Sequence, residues 1–293
     1  MCKNQHIQTG FTLVELIMVI VITGILAGMV SIFIKAPIEQ YIGIANRAEM
    51  TDIADTALRR MGRDIRTAVP NSVRLPVATG SSYIEFLPTK TGGRYRASSD
   101  GTDTLCASAL GNSEGDSLSL SQADSCFEIT GPAITFASGD YIVVGSTQSD
   151  GNPPYDNVST NGVLRAYTGA AGSQTTVKIT AMQFPEFASL ESQRFEVISG
   201  SDQAVTYACE NVGGTTNGTG TLKRYSVYGF KLAQLAPASL GVSGTLLADK
   251  ISACSISYNN INQRNGLVAI SLTITRSGES ISLYQQIHVN NAP

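Results

Sequence analysis

GFTLVELIMVIVITGILAGMVSIFIK, residues 10–35, is the stretch that decides the fold of this chain. From Phe11 to Ile34 it is almost entirely apolar, with no proline and one charged side chain, Glu15. As an α-helix this run extends about 36 Å, which is long enough to cross the hydrocarbon core of a bilayer, and Lys35 ends it. A carboxylate within such a helix is costly unless it has a partner. Hydropathy alone therefore predicts a membrane helix but leaves Glu15 unexplained.

The composition of the rest indicates a β-rich domain outside the cytoplasm. The chain has 293 residues, so one or two domains are expected beyond the apolar start. Charged residues make up only 15%, tryptophan is absent and glycine is plentiful. The formal net charge of −3 gives no reason to expect nucleic acid as a partner.

A second, amphipathic helical pattern follows Pro37. Charged side chains occupy the other faces, so one side of this helix is expected to pack on a domain. Pro37 itself could kink or break the helix, and Pro70 marks the expected end. We predict one helix of nearly 60 residues, half in the membrane and half against the domain. The apolar face consists of Ile42, Ala45, Met50, Ile53, Ala57, Met61, Ile65 and Ala68.

Short strand-like runs replace the helical pattern from about residue 72. A turn-like Arg-Ser-Gly-Glu-Ser segment between the last two runs predicts a hairpin. Gly-, Asn-, Ser- and Asp-rich loops separate the others. The predicted strands are residues 83–87, 133–137, 141–145, 175–180, 194–199, 222–232, 254–258, 267–275 and 281–289.

The cysteines favour an oxidising compartment. Cys2 precedes the apolar run, whereas Cys106, Cys126, Cys209 and Cys254 follow it. An even number beyond a membrane segment suggests two disulfides, and four cysteines allow three connectivities. We favour the local pairs 106–126 and 209–254; buried free thiols are the alternative. Neither a Cys-x-x-Cys pair nor a Cys/His cluster suggests a metal.

The motif Gly10-Phe11-Thr12-Leu13-Val14-Glu15-Leu16 resembles the processing site of type IV prepilins. The resemblance implies that a membrane peptidase cuts after Gly10 and N-methylates Phe11. It also implies that Glu15 meets the new terminal amine of a neighbouring subunit. An ion pair in low dielectric is strongly attractive, which agrees with that role. Gly24 and Gly28 form a G-x-x-x-G pair that lets helices pack closely, although membrane helices often contain such residues anyway.

The resemblance extends over about the first 75 and the last 30 residues, which are similar to the larger minor pilins of MSHA-type type IV pili. It implies an α+β pilin-like fold: a long N-terminal helix packed on a mainly antiparallel, disulfide-bonded β-domain. The implied segments are a leader (residues 1–10), a transmembrane and assembly helix (11–34), an amphipathic helix (35–70) and a periplasmic or extracellular β-rich domain (71–293).

The function implied is structural, without catalysis, cofactor or metal. His6 falls in the leader, which would be removed, and His288 lies in the last predicted strand without a nearby cysteine or acid cluster. The implied partners are prepilin peptidase, other minor and major pilins, an inner-membrane assembly platform and inner-membrane lipid. Two alternatives stay open: a J-type pseudopilin of type II secretion, and a pilus-tip adhesin that binds through loops near residues 90–125 and 145–172.

Overall fold

The computed structural model describes residues 10–77, 79–98, 105–106, 116–146, 154–155, 162–184, 193–262 and 265–291. The chain divides into two units, residues 1–49 and residues 50–293. The predicted class is confirmed, because one long N-terminal helix is followed by antiparallel β-sheets and two disulfides.

Helix α1 spans Leu13–Arg66 without interruption. Pro37 lies inside it, so the helix tolerates the hydrogen bond that a proline cannot donate. The single long helix is thus confirmed. It ends at Arg66 rather than near Pro70, because the backbone N–H and the hydroxyl of Thr67 both donate to the carbonyl of Asp64, at 3.1 and 2.8 Å. That contact is one residue shorter than the helical spacing and closes the last turn.

The part of α1 within residues 10–49 buries none of its described side chains. Ile42 and Ala45, which the pattern placed on the packed face, are exposed there. In residues 50–66 the predicted face is confirmed: Met50, Ala57 and Met61 are buried against the sheet. A helix buries an apolar stripe only where a second layer covers it, which explains the difference.

The strands of the described residues account for most of the second unit. In chain order they are β1 (Tyr83–Phe86), β2 (Thr89–Arg94), β3 (Asp124–Glu128), β4 (Ile134–Phe136), β5 (Tyr141–Val144), β6 (Leu164–Ala166), β7 (Gly172–Gln174), β8 (Thr176–Met182), β9 (Arg194–Ile198), β10 (Val205–Glu210), β11 (Gly220–Tyr225), β12 (Thr245–Asn262), β13 (Asn265–Arg276) and β14 (Glu279–Asn290).

The main sheet has six antiparallel strands in the order β1-β10-β11-β12-β13-β14. One face packs on the buried side chains of α1, and this core includes Ile256, Val268 and Ile270. The predicted hairpin joins β13 to β14. Its turn residues Ser277 and Gly278 both have positive φ, 54° and 81°, as the tight turn of a twisted hairpin requires.

The strands between β1 and β10 form a separate lobe, the inserted lobe, residues 89–198. It contains a four-stranded sheet in the order β2-β9-β5-β6 and two two-stranded sheets, β3-β8 and β4-β7. Its own core is rich in aromatic rings, with Phe127 and Phe195 edge to face at 5.5 Å. A third apolar cluster contains residues of both the lobe and the main sheet, among them Val143 and Ala208.

Five strands were not expected from the sequence: β2, β3, β6, β7 and β10. The β2 segment, TKTGGR, contains no apolar residue, and its pairing depends on backbone bonds to β9. Conversely, the predicted run 222–232 stops being a strand after Tyr225, where Val227 adopts a positive φ of 63°. Both differences depend on tertiary contacts, since neither the alternation of apolar and polar residues nor strand propensity predicts them.

The two disulfides are Cys106–Cys126 and Cys209–Cys254, the local pairs favoured above. The first closes 20 residues within the inserted lobe and the second links β10 to β12 over 45 residues. In the chain-entropy model such loops stabilise the fold by roughly 3 and about 4 kcal/mol.

Candidate assembly site at the amino-terminal helix

The predicted cleavage position lies just outside helix α1. Gly10 and Phe11 are exposed and have no helical structure, and the Phe11 side chain is 86% exposed. The peptide bond between them is therefore free of the hydrogen-bond ladder that begins when the Leu16 N–H donates to the Thr12 carbonyl at 3.2 Å. A peptidase can reach such a bond without unwinding the helix.

Thr12 and Glu15 cap the helix reciprocally. The Glu15 N–H donates to the Thr12 hydroxyl oxygen at 3.3 Å. The Thr12 N–H and hydroxyl both donate to Glu15 Oε2, each at 3.4 Å. This is a capping box, in which side chains satisfy backbone donors that the first turn leaves open. The carboxylate that looked misplaced thus has a local structural role.

Sequence reasoning assigned Glu15 only to a neighbouring subunit and missed the capping box. The signal was present, because Thr-x-x-Glu directly before an apolar run is a helix-start pattern. The two bonds that the Glu15 carboxylate accepts, each 3.4 Å, are long for a charged acceptor. A cationic donor close to Glu15 would therefore compete effectively for the carboxylate.

Beyond the cap and as far as Ile34, α1 presents apolar side chains all round. The helix is long and apolar enough to cross a membrane. The Thr23 hydroxyl donates to the Val19 carbonyl at 2.6 Å, so its hydrogen-bond donor is satisfied within the helix. Gly24 and Gly28 face open space, where an added Cβ would meet no atom within 4 Å. Their predicted packing role stays a prediction.

Of the two histidines singled out from the sequence, His288 alone lies among the described residues. The leader up to residue 9, with His6, lies outside the described residues. His288 is exposed on β14. Among the residues that the structure describes, no group of three His, Cys, Asp or Glu side chains could hold a metal ion.

A polar cluster ties the last turn of α1 to the sheet. Asp64 accepts a hydrogen bond from the Tyr207 hydroxyl at 2.6 Å and forms an ion pair with Arg224 at 3.2 Å. Arg224 also contacts Asp202 at 2.9 Å. Burial, followed by the bond to Asp64, raises the pKa of Tyr207, so the phenol stays neutral and acts as a donor.

A second, more deeply buried cluster follows the helix. Arg74 pairs with Glu85 at 2.8 Å and lies 3.6 Å from the ring centre of Tyr155. The Tyr228 hydroxyl donates to the other oxygen of Glu85 at 3.0 Å. Burial, then the charge of Glu85, raises the pKa of Tyr228. Sequence reasoning singled out none of these residues, because partners as far apart as 143 positions leave no local pattern.

Comparison with known proteins identifies the amino-terminal segment alone. Residues 6–31 match the family described as the prokaryotic N-terminal methylation motif. Neither the curated proteins nor the solved structures contain a match to the chain. The motif supports a protein of the type IV pilin kind, whose members are structural proteins processed by prepilin peptidase. With the apolar helix, it indicates a single-pass membrane anchor.

Proposed function

We propose that this chain is a minor pilin of an MSHA-type type IV pilus. Prepilin peptidase would cut it after Gly10 and methylate Phe11. The chain would then join a minor-pilin complex that initiates assembly or caps the tip. The observation that carries the proposal is the methylation motif over residues 6–31, whose cleavage position precedes a membrane-length helix.

Cleavage would create a cationic partner for Glu15. In the uncut chain Gly10 and Phe11 share a peptide bond, and among the described residues Glu15 accepts hydrogen bonds from Thr12. The cut leaves an amine on Phe11, which is cationic at neutral pH. In lipid the pairing of that amine with the Glu15 of a neighbouring subunit relieves the cost of a lone charge. The pair also fixes the axial register between the two helices.

The chain is longer than a major pilin, which favours a minor subunit. Its helix and its closing residues YQQIHVNNAP resemble MshO, the MSHA pilus biogenesis protein. The two disulfides agree with a domain in the periplasm, an oxidising compartment, and later near the tip of the pilus. Retention of Glu15 favours a position beneath another subunit, whose terminal amine it would meet.

The mass of the mature protein tests the central step. We expect the amino terminus to be N-methylated Phe11, and we expect Gly10→Val to accumulate the full-length precursor. Thr23→Val, a change within the same helix, is the control and should leave cleavage intact. An unprocessed wild-type chain, or a cut elsewhere, would refute the proposal.

Two alternative functions share the same processing and need other tests. A J-type pseudopilin would co-purify with a type II secretion complex instead of pilus subunits. A tip adhesin would bind chitin, erythrocytes or mineral surfaces through its loops. Much of the predicted loop regions 90–125 and 145–172 lies outside the described residues.

A further inference from the structure

An unbalanced charge cluster lies on one face of the inserted lobe. Strands β2 and β9 pair so that Arg94 lies directly opposite Arg194. Like charges directly opposite each other destabilise a sheet. Within the described residues neither guanidinium forms an ion pair or a side-chain hydrogen bond. The pair therefore concentrates positive charge at an exposed point.

The two arginines border an open cleft of about 440 Å³. Gly92, Thr130 and Glu196 also line it. Gly92 lies opposite Glu196 in the register and has no side chain to cover the cleft. The Thr130 N–H donates to the Arg94 carbonyl at 2.8 Å, which fixes the threonine at the rim. The cleft is thus formed by paired strands rather than by a loose loop.

Glu196 does not neutralise the arginines fully. It lies beside Val143, a completely buried residue of the neighbouring strand β5. Burial raises the pKa of Glu196 to about 7, although the charge of Arg194 and its own backbone N–H act in the other direction. Within the described residues no other side chain donates a hydrogen bond to this carboxyl group. Glu196 therefore retains acceptor capacity toward the cleft.

A neighbouring cleft provides a comparison in which the charge of the arginine is paired with a carboxylate. It has a volume of about 430 Å³, shares Thr130 with the first cleft, and contains Arg96 and Glu128. Arg96 forms an ion pair with Glu128. Among the described lining residues, one arginine faces one carboxylate there, whereas the first cleft has two arginines beside one carboxyl group with a raised pKa.

We propose that the cleft at Arg94, Arg194 and Glu196 binds an acidic sugar unit, a hexuronate of a polysaccharide. Paired guanidinium groups match the planar oxygens of a carboxylate with directed hydrogen bonds. The sugar hydroxyls supply donors for Glu196 and partners for the Thr130 hydroxyl. A polar cleft of this size, open to solvent, suits a hydrophilic ligand better than an apolar one. This inference does not depend on pilus assembly.

The test is calorimetric titration of the full chain in detergent micelles with trigalacturonate, neutral galactotriose and inorganic phosphate. We expect trigalacturonate to bind and galactotriose not to bind. Arg94→Ala and Arg194→Ala should each lower trigalacturonate affinity at least tenfold. Lys178→Ala removes the same charge from an exposed position on β8 in the same lobe, and should change affinity less than twofold.

Glu196→Gln separates a sugar site from a simple anion site. If Glu196 accepts sugar hydroxyls, the variant loses affinity for trigalacturonate while any phosphate binding is unchanged or stronger. The proposal fails if trigalacturonate does not bind, or if Lys178→Ala weakens it as much as the arginine variants. It also fails if phosphate binds as tightly as trigalacturonate with the same dependence on both arginines.

Discussion

The same helix behaves differently in its two halves. In residues 10–49 the apolar side chains are exposed, with Ile25 and Leu26 more than half uncovered. In residues 50–66 Met61 and Ile65 are at most 1% exposed. The first half therefore depends on lipid or other subunits for cover, and the second half depends on its own sheet. We therefore expect the first half to act in assembly, whereas the second half contributes to folding stability.

The strongest test of this division is the charge at Glu15. We expect Glu15→Ala to be processed normally yet to enter pili at less than one tenth of the wild-type level, because the terminal amine of a neighbour loses its partner. The measurement is quantitative blotting of sheared pili against whole cells. Glu39→Ala, an exposed acid paired with Lys35 at 3.8 Å, is the matched control and should assemble normally. Wild-type piliation by Glu15→Ala would contradict the assigned role.

A charge in the second unit should affect folding instead. Glu85→Ala removes the buried carboxylate that pairs with Arg74, whose side chain is 18% exposed, and losses of this kind cost about 3–5 kcal/mol of unfolding free energy. Urea unfolding of the full chain in micelles, followed by circular dichroism, measures the change. Arg59→Ala breaks an exposed ion pair with Asp55 and should leave the midpoint unchanged. Equal midpoints for Glu85→Ala and wild type would show that the buried cluster is not structural.

Apolar truncations sharpen the same contrast. Met61→Ala opens a cavity between α1 and the main sheet and should lower stability by about 3 kcal/mol. Ile25→Ala truncates an exposed side chain and should not change the unfolding of the β-domain. The same urea titration compares them, and a similar loss for both variants would contradict the division into two units.

The smallest expected effect concerns two helical glycines. Gly62→Ala places a Cβ about 2.9 Å from the side-chain amide of Gln285, which must rotate away. That cost opposes a helix-propensity gain of about 1 kcal/mol, so the net change should stay below about 1 kcal/mol. Gly24→Ala meets no atom and should not alter unfolding of the β-domain. Thermal unfolding of both variants in parallel provides the comparison.

The sequence predicted the parts of the fold that depend on local pattern. The long helix, the buried stripe from Met50 onward and the β13–β14 hairpin follow from periodicity and turn chemistry. Strand β10 was missed although every residue from Val205 to Ala208 is buried, because a strand covered on both faces shows no alternation. The predicted end of the helix lay too far along the chain. Pro70 indicates a stop, but the hydrogen bond of the Thr67 hydroxyl ends the helix earlier.

The candidate site was predictable in its chemistry and not in its contacts. Gly10, Phe11 and Glu15 stand out in the sequence because they lie within one short motif, inside the segment that matches the methylation family; their roles stay predictions. The cluster of Arg74, Glu85 and Tyr228 forms only when folding brings segments that are distant in sequence together. The apposed pair Arg94 and Arg194 depends on the register of β2 with β9, and a shift of one residue would separate the two charges.

The position of the inserted lobe in the main sheet has a further consequence. Strand β1 ends at Phe86, whose partner in the adjacent strand is Val205, the first residue of β10. In topological terms the whole lobe is the loop of a single β-hairpin. Because its two ends meet at neighbouring positions, such a loop can be replaced by another one while the strands around it keep their register. We therefore expect the pairing of Phe86 with Val205 to mark a point at which the lobe can be exchanged while the main sheet is kept.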